Sequence, residues 1–285
     1  MSGGRQGGLA LVTILLVMAL LTALVAGMLR SHQWAIGGVG RQIEASGMLQ
    51  LALAGERQAV SDLRRQAAEL SQVVHAGQSW ARPRTLMLEQ GLVRVSLEDL
   101  AGRFNLAGLV ASGTAGTLSQ ARWERLCRSL KIEPPSLAPL AGKALLDPVQ
   151  LLTLPGVSDA VLARLKPWMV VLPLEAGLNV NTAPAPVLGA LEAVSPSTAQ
   201  RLVENRPEEG FPSVQRFLAQ PALDGLGTRS DGLAVTSRWF RLEVQADYQG
   251  RRMYLYSDLE IDALTQQVQV VRRFFSAVRE RTPDE

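Results

Sequence analysis

The sequence predicts an α+β fold that combines a long N-terminal helix and an antiparallel sheet with a large inserted all-α domain. Three observations carry this prediction. An apolar run near the N-terminus continues into an amphipathic helical pattern. Patterns of period two, typical of strands, occur near residues 84–97 and again near 239–275. The block between them, residues 112–231, carries helix and loop signals instead.

The first element is an apolar helix that is long enough to span a membrane. Leu9 to Leu29 contains no charged residue, and at about 1.5 Å per residue it covers roughly 30 Å, the thickness of the hydrocarbon core of a bilayer. A secretory signal peptide would have a shorter apolar core. Arg5 precedes the run, and positive charge before a span keeps that end in the cytoplasm. We therefore expect a single membrane span with the remaining chain exported.

An amphipathic pattern follows, so the helix is predicted to continue to about Leu70. Apolar residues such as Ile43, Leu49 and Leu63 recur among charged residues and alanines. The glycines of "AIGGVG" are expected to bend or melt the helix locally, since glycine weakens a helix interior.

Strands are predicted on both sides of the central block. In "RTLMLEQGLVRVSLEDL" apolar residues flank Gly91, which predicts a hairpin. Apolar residues later alternate from Phe240 to Ala246 and, after Gln249-Gly250, from Met253 to Leu259, which predicts a second hairpin. The stretch "QQVQVVRRFF" predicts a final strand.

Two stretches of the central block resemble helix-hairpin-helix units. In "LLTLPGVSDAVLARL" the turn is Pro155-Gly156, and in the second copy it is "VSPS", which begins with Val194 and Ser195. DNA-binding versions hold phosphate with backbone amides opened by glycines. Here Pro196 removes a donor and acidic residues crowd the second turn. A helical packing module is therefore favoured, and a membrane-anchored DNA-binding protein of an uptake system is kept as the alternative function.

The composition gives little support to enzyme chemistry. Cys127 is the one cysteine, so it can form neither an intramolecular disulfide nor a cysteine zinc site, and it is predicted to be a buried apolar residue. The two histidines, His32 and His75, lie far from the motifs, so histidine-based catalysis is poorly supported. The net charge is +3, without a Lys/Arg block typical of a nucleic-acid-binding tail. An exported hydrolase would need a catalytic constellation that the sequence does not offer.

Motifs along nearly the whole chain resemble a known family. In chain order they are "DLAGRFNLAGLV", "LNVNTAPAPVL", "RPEEGFPSVQRFLA" and "LAVTSRWFRL". Together with a short leader that ends in glycine before an apolar helix, they resemble the general secretion pathway protein K family, the large minor pseudopilins of type II secretion systems. The resemblance implies a pilin-like fold and a non-enzymatic role in assembly. Some members have a disulfide, which Cys127 alone cannot form.

The resemblance also implies a processing site. Residues 1–8 would be a prepilin leader, cut between Gly8 and Leu9 by a prepilin peptidase that then methylates the new amine; a cut after Gly7 and an uncut signal anchor are the alternatives. Most pilins carry glutamate as the fifth mature residue, where this chain has Thr13. A carboxylate inside a bilayer needs a partner, which in the family is the amine of the preceding subunit. A subunit without that carboxylate is suited to be the first.

The domain order follows from the same resemblance. Residues 9–29 would be the transmembrane part of the pilin helix, and 30–111 the first part of a pilin-like α/β domain. Residues 112–231 would be the inserted helical domain, and 232–285 the second part of the sheet.

The resemblance implies partners as well. The chain would cap the pseudopilus tip and help initiate its assembly with minor pseudopilins I and J, above a filament of the major pseudopilin. It would be anchored in the bacterial inner membrane with the bulk of the chain in the periplasm, and nucleic acid is not an expected partner. Some members bind calcium. Glu209, Asp224 and Asp231 are conceivable oxygen ligands, but no loop spacing is diagnostic, so the metal ligands stay unassigned.

Overall fold

A computed structural model of the chain describes residues 6–88 and 91–279. Within these ranges, side chains are described from residue 11 to 30 and from residue 44 onward. The chain divides into two compact units, Met1–Gln50 and Leu51–Glu285.

The predicted long N-terminal helix is confirmed, and five shorter α-helices follow it within the described residues. The α-helices are α1 Gln6–Leu70, α2 Gly113–Ser129, α3 Asp159–Leu165, α4 Ala185–Leu188, α5 Pro196–Glu204 and α6 Val214–Leu218. Short 3₁₀ helices lie between and after them, and one of these, Pro148–Thr153, begins after Asp147, whose side chain caps it.

The strands of the second unit form one five-stranded antiparallel sheet and two small parallel pairs. The strands are β1 Arg84–Leu88, β2 Gly91–Asp99, β3 Phe104–Asn105, β4 Met169–Val170, β5 Leu178–Asn179, β6 Leu233–Ala234, β7 Trp239–Tyr248, β8 Arg251–Ile261 and β9 Val268–Ser276. The large sheet has the order β1-β2-β7-β8-β9. Both predicted hairpins and the final strand are confirmed: Leu88 pairs with Gly91, and Tyr248 pairs with Arg251 across the turn Gln249-Gly250.

One face of the sheet packs against the C-terminal part of α1. Because side chains alternate along a strand, every second residue of β2, β7 and β8 points toward the helix. The helix contributes residues such as Leu51, Leu63 and Leu70, and the sheet contributes residues such as Leu242 and Leu255, all of them buried. This amphipathic match fixes the register of the central strands, since a slip of one residue would turn the apolar set to the other face.

A buried carboxylate adds a polar contact between the helix and the sheet. Glu56 of α1 accepts hydrogen bonds from Ser257 Oγ of β8 at 2.5 Å and from two guanidinium nitrogens of Arg273 of β9, at 2.7 and 2.8 Å. Since a buried charge is tolerated only when it is paired and hydrogen-bonded, this contact selects one orientation of the helix on the sheet.

The segment between β2 and β7 contains helices and loops as predicted, but it also contains short strands, so the description of the insert as all-α is not confirmed. Met169–Val170 pairs in parallel with Phe104–Asn105, and Leu178–Asn179 pairs in parallel with Leu233–Ala234. Two-residue strands are too short to show a period of two, and their partners lie far away along the chain. The sequence pattern therefore could not reveal them.

Gly55 provides a test of the helix–sheet contact. A Cβ atom at this position would lie 2.6 Å from Cγ1 of Val93 and 2.9 Å from Cγ1 of Val244. Alanine normally stabilises a helix interior relative to glycine by about 1 kcal/mol. We expect Gly55→Ala to lower the free energy of unfolding by roughly 1–3 kcal/mol instead, because the site is already filled.

The measurement is urea unfolding of the full chain in detergent micelles, followed by circular dichroism. Ser61→Ala, at an exposed position on the same helix, is the control and should change the free energy of unfolding by less than about 0.5 kcal/mol. A more stable Gly55→Ala variant would show that the helix is not packed closely on the sheet here.

Candidate functional site: the junction between the sheet and the helical insert

The "NVNT" motif forms a buried polar junction between the insert and the sheet. Asn179 is fully buried at the end of β5. Its Nδ2 atom donates to Asp99 Oδ2 at 2.7 Å and to the carbonyl oxygen of Val74 at 3.0 Å. Asp99 ends strand β2, and Val74 follows the end of α1. One side chain therefore ties together the insert, the sheet and the segment after the long helix.

The next two polar residues of the motif extend this junction. Thr182 Oγ1 donates to the same Asp99 oxygen at 2.6 Å. Asn181, also fully buried, makes two hydrogen bonds with Phe211: its Nδ2 donates to the carbonyl oxygen at 3.1 Å, and its Oδ1 accepts from the backbone N–H at 2.7 Å. The "NVNT" and "GF" motifs are therefore in direct contact.

The electrostatics of the junction centre on Asp99. Burial raises the pKa of this carboxyl, while hydrogen bonds from Ser237, Thr182, Asn179 and the backbone of Ala101 act in the opposite direction. Three donors lie within hydrogen-bond distance of this buried carboxyl, namely the Ala101 backbone N–H, Asn179 Nδ2 and Thr182 Oγ1, and such pairing is what allows a polar group to lie inside the protein.

Gly210 explains the glycine of the "GF" motif. Its φ is +69°, and an added Cβ would lie 2.8 Å from His75 Cβ and 3.0 Å from the Asn181 side chain. A residue with a side chain would be strained by the backbone and would also displace Asn181.

The residues of the predicted processing site lie in or before α1. Gly8 and Leu9 fall within this helix, but their side chains lie outside the described set, as does the leader before Gln6. Thr13 is exposed on the helix surface. The apolar segment Leu11–Arg30 has a mean hydropathy of 2.6 and is not buried, so by length and composition it is fit to cross a membrane.

The two predicted hairpin turns lie in different parts of the insert. Pro155-Gly156 lies between the 3₁₀ helix Pro148–Thr153 and α3. Val194 is buried before α5, and Ser195 caps that helix by accepting a hydrogen bond from the backbone N–H of Thr198. The residues beside the first turn pack in one apolar cluster and Val194 packs in another, so the structure does not bring the two turns together.

Within the described ranges, no group of three or more His, Cys, Asp or Glu side chains is placed to hold a metal ion. Of the three conceivable calcium ligands, Glu209, Asp224 and Asp231 are all exposed, and Asp231 pairs with Arg229 at 3.0 Å, which lowers the pKa of that carboxyl. The thiol of Cys127 is buried as predicted, and burial raises its pKa to about 12, so it stays protonated and unreactive at neutral pH.

Comparison with known proteins places this architecture in a family. The family model for protein K of the type II secretion system matches residues 178–236, the stretch that begins at the buried junction. A type II secretion system protein K from Pseudomonas aeruginosa is 33% identical over an alignment of 295 positions, which covers 90% of this chain and 89% of the relative. The chain belongs to the type II secretion system protein K family.

Further similarities agree with membership of the protein K family. A protein K from Klebsiella pneumoniae is 27% identical and covers 83% of the chain. The crystal structure of the GspK-GspI-GspJ complex from enterotoxigenic Escherichia coli contains a chain that matches with a TM-score of 0.67 and 22% identity, over 82% of this chain and 99% of that one. The sequence-based assignment to the minor pseudopilins of type II secretion is thus confirmed, as is the mixed fold of helix and antiparallel sheet. The DNA-binding alternative receives no support.

The sequence reasoning did not identify Asp99 as part of this protein K junction. The residue stands in "SLEDL" at the end of a strand, where an acidic residue is usually solvated, and it binds Asn179 across 80 positions of the chain. The one available signal was the pair of asparagines in "NVNT", since two amides in an otherwise apolar stretch need buried partners.

Asn179→Ala tests the junction. The substitution leaves the Asp99 carboxyl and the Val74 carbonyl without the donor they share, and we expect the free energy of unfolding to fall by about 2–4 kcal/mol. Urea unfolding of the full chain in detergent measures it. Asn205→Ala removes an exposed asparagine and should have an effect below about 0.5 kcal/mol. Equal effects of the two substitutions would mean that the junction does not hold the insert in place.

Proposed function

We propose that this protein caps the tip of a type II secretion pseudopilus and initiates its assembly together with minor pseudopilins I and J. The observation that carries the proposal is membership of the protein K family over almost the entire chain. The fold it shares with the solved GspK-GspI-GspJ complex supports the choice of partners. The role is one of assembly and not of catalysis, with packing surfaces as its working parts.

The apolar segment of α1 is the membrane anchor in this proposal. Its exposed residues need a lipid or apolar protein environment, because an apolar surface of this size is not stable in water. The N-terminus lies in the cytoplasm and the sheet and insert lie in the periplasm, in agreement with Arg5 before the span. The protein is then a single-pass protein of the bacterial inner membrane until it enters the filament.

Prepilin peptidase removes residues 1–8 and methylates the amine of Leu9 in this proposal. The subunit carries Thr13 where most pilins carry glutamate, so it offers no carboxylate to the amine of a preceding subunit. That property suits the first position in a filament, with the major pseudopilin below it.

The insert, residues 112–231, serves as the cap, between pilin-like parts at 30–111 and 232–285. Its helix-hairpin-helix-like turns at Pro155-Gly156 and Val194–Ser195 act as packing elements. Calcium is a candidate cofactor by family resemblance, with no ligands assigned.

Processing is tested by N-terminal sequencing of the protein expressed with and without prepilin peptidase. We expect the mature chain to start at a methylated Leu9, and Gly8→Asp to abolish cleavage because it replaces the glycine after which the peptidase cuts in this proposal. Gly7→Ala is the matched control and should leave cleavage intact. An intact leader in the presence of the peptidase, or a start near Met28, would contradict a prepilin.

Assembly is tested by co-expression of the full chain with minor pseudopilins I and J, followed by affinity purification through a tag on this chain. We expect both partners to co-purify in a defined stoichiometry. An unrelated tagged membrane protein controls for capture by detergent micelles. Failure of both partners to co-purify would rule out the tip complex, even if cleavage after Gly8 is observed.

A further inference from the structure

The sheet face that does not contact α1 forms the floor of a large cavity. The cavity has a volume of about 670 Å³ and lies between the sheet and the insert, open to solvent. Arg241 and Glu243 of β7 and Tyr256 of β8 line its floor, while Arg206, which follows α5, lines its wall. Volumes of this order are typical of binding sites.

Most charges in the cavity are neutralised by a neighbour. Arg103 binds Glu98 through two nitrogens at 2.5 and 2.6 Å. Arg241 in the floor also forms a bidentate pair, with the two carboxylate oxygens of Asp258 at 2.7 and 3.0 Å. The charged groups of these pairs satisfy each other. Two other side chains of the lining each have a buried polar atom without a hydrogen-bond partner.

Arg206 is the first of these groups. One of its terminal nitrogens donates to the carbonyl oxygen of Ala183 at 2.6 Å, but its Nε atom is buried without a hydrogen-bond partner. Within the described ranges no carboxylate pairs with it. Burial lowers the pKa of Arg206 to about 10, so the side chain still carries its charge at neutral pH. Arg206 is half-buried, and a guanidinium whose Nε is shielded from water and unpaired is costly, so a carboxylate is its natural ligand.

Glu243 is the second group, and it lacks a hydrogen-bond donor where Arg206 lacks an acceptor. Its side chain is largely buried; Oε1 accepts from Arg279 at 2.9 Å, and Oε2 is buried without a partner. A free acceptor in such a place calls for an N–H or ammonium donor. The lining also contains Trp80 and Trp168, which offer apolar surface beside the two polar groups.

We propose that this cavity binds an extended polypeptide segment of another protein, with a carboxylate of the segment on Arg206 and an N–H or ammonium donor on Glu243. A polypeptide is favoured over a free amino acid because the cavity is larger than one residue and lined by aromatic and proline side chains as well as charges. The site goes beyond the proposed role at the tip and does not depend on it.

The test uses the full chain in detergent micelles and fluorescein-labelled peptides of glycine and serine that carry one glutamate and one lysine. The spacing of the two charged residues varies across the peptide set, and binding is followed by fluorescence anisotropy. We expect saturable binding at one preferred spacing. Replacing the glutamate of the best peptide by glutamine should weaken binding about tenfold or more, since a charge-assisted pair is lost.

Substitutions in the protein test the same two contacts from the other side, through the affinity of each variant for the best peptide. We expect Arg206→Gln to weaken binding of the best peptide about tenfold or more, and Glu243→Gln to weaken it less, because glutamine retains an acceptor for Arg279. Arg216→Gln, an exposed arginine outside the cavity, is the control. If Arg206→Gln does not fold, Arg206→Lys replaces it, and the peptide with glutamine tests the same contact without altering the protein.

Three outcomes would overturn the proposal. The first is that no peptide binds, which leaves water as the only occupant of the cavity. The second is equal binding to the wild type and to Arg206→Gln. The third is complete competition by free glutamate and lysine at the same concentrations as the peptide, which would assign the site to single amino acids.

Discussion

The hydrogen bonds around Asp99 hold the two parts of the second unit in one arrangement. The large sheet and the helical insert have separate apolar clusters, and a smaller cluster joins residues of both parts, among them Val170, Leu172 and Trp239. Asn179 and Thr182 add a directional polar contact, because both donate to one buried carboxylate oxygen of Asp99. A buried polar group tolerates few alternatives, so this junction orients the insert on the sheet.

The orientation of the insert has a consequence for the second face of the sheet. That face is polar and aromatic: Glu98, Arg241 and Asp258 lie side by side on β2, β7 and β8. The insert covers part of this face and turns it into the floor of the cavity that Arg206 and Glu243 share. The junction at Asp99 that orients the insert on the sheet thus also forms a cavity whose lining contains polar atoms without hydrogen-bond partners. A pilin-like sheet without an insert would lack the second wall of this cavity.

Much of this architecture could be predicted from the sequence, and what was missed has a physical reason. The apolar run from Leu9 and the hairpin at Gln249-Gly250 were predicted because local patterns of period 3.6 and 2 determine them. The parallel pair of Leu178–Asn179 with Leu233–Ala234 escaped because it depends on residues far apart in the chain. Arg206 was not predicted as a site residue, because an arginine in the polar stretch "NRPEEGF" is expected to be exposed to solvent. The tertiary structure shows that its Nε atom is buried without a hydrogen-bond partner.

The two units also differ in what each needs from its surroundings. The unit that begins at Leu51 contains its own apolar core between the helix and the sheet, with the buried carboxylate of Glu56 paired to the exposed Arg273 at its edge. The apolar segment Leu11–Arg30 buries nothing within the structure described, so its surface must be covered by lipid or by apolar faces of other helices. Moving that segment from a bilayer to a filament would exchange one apolar environment for another.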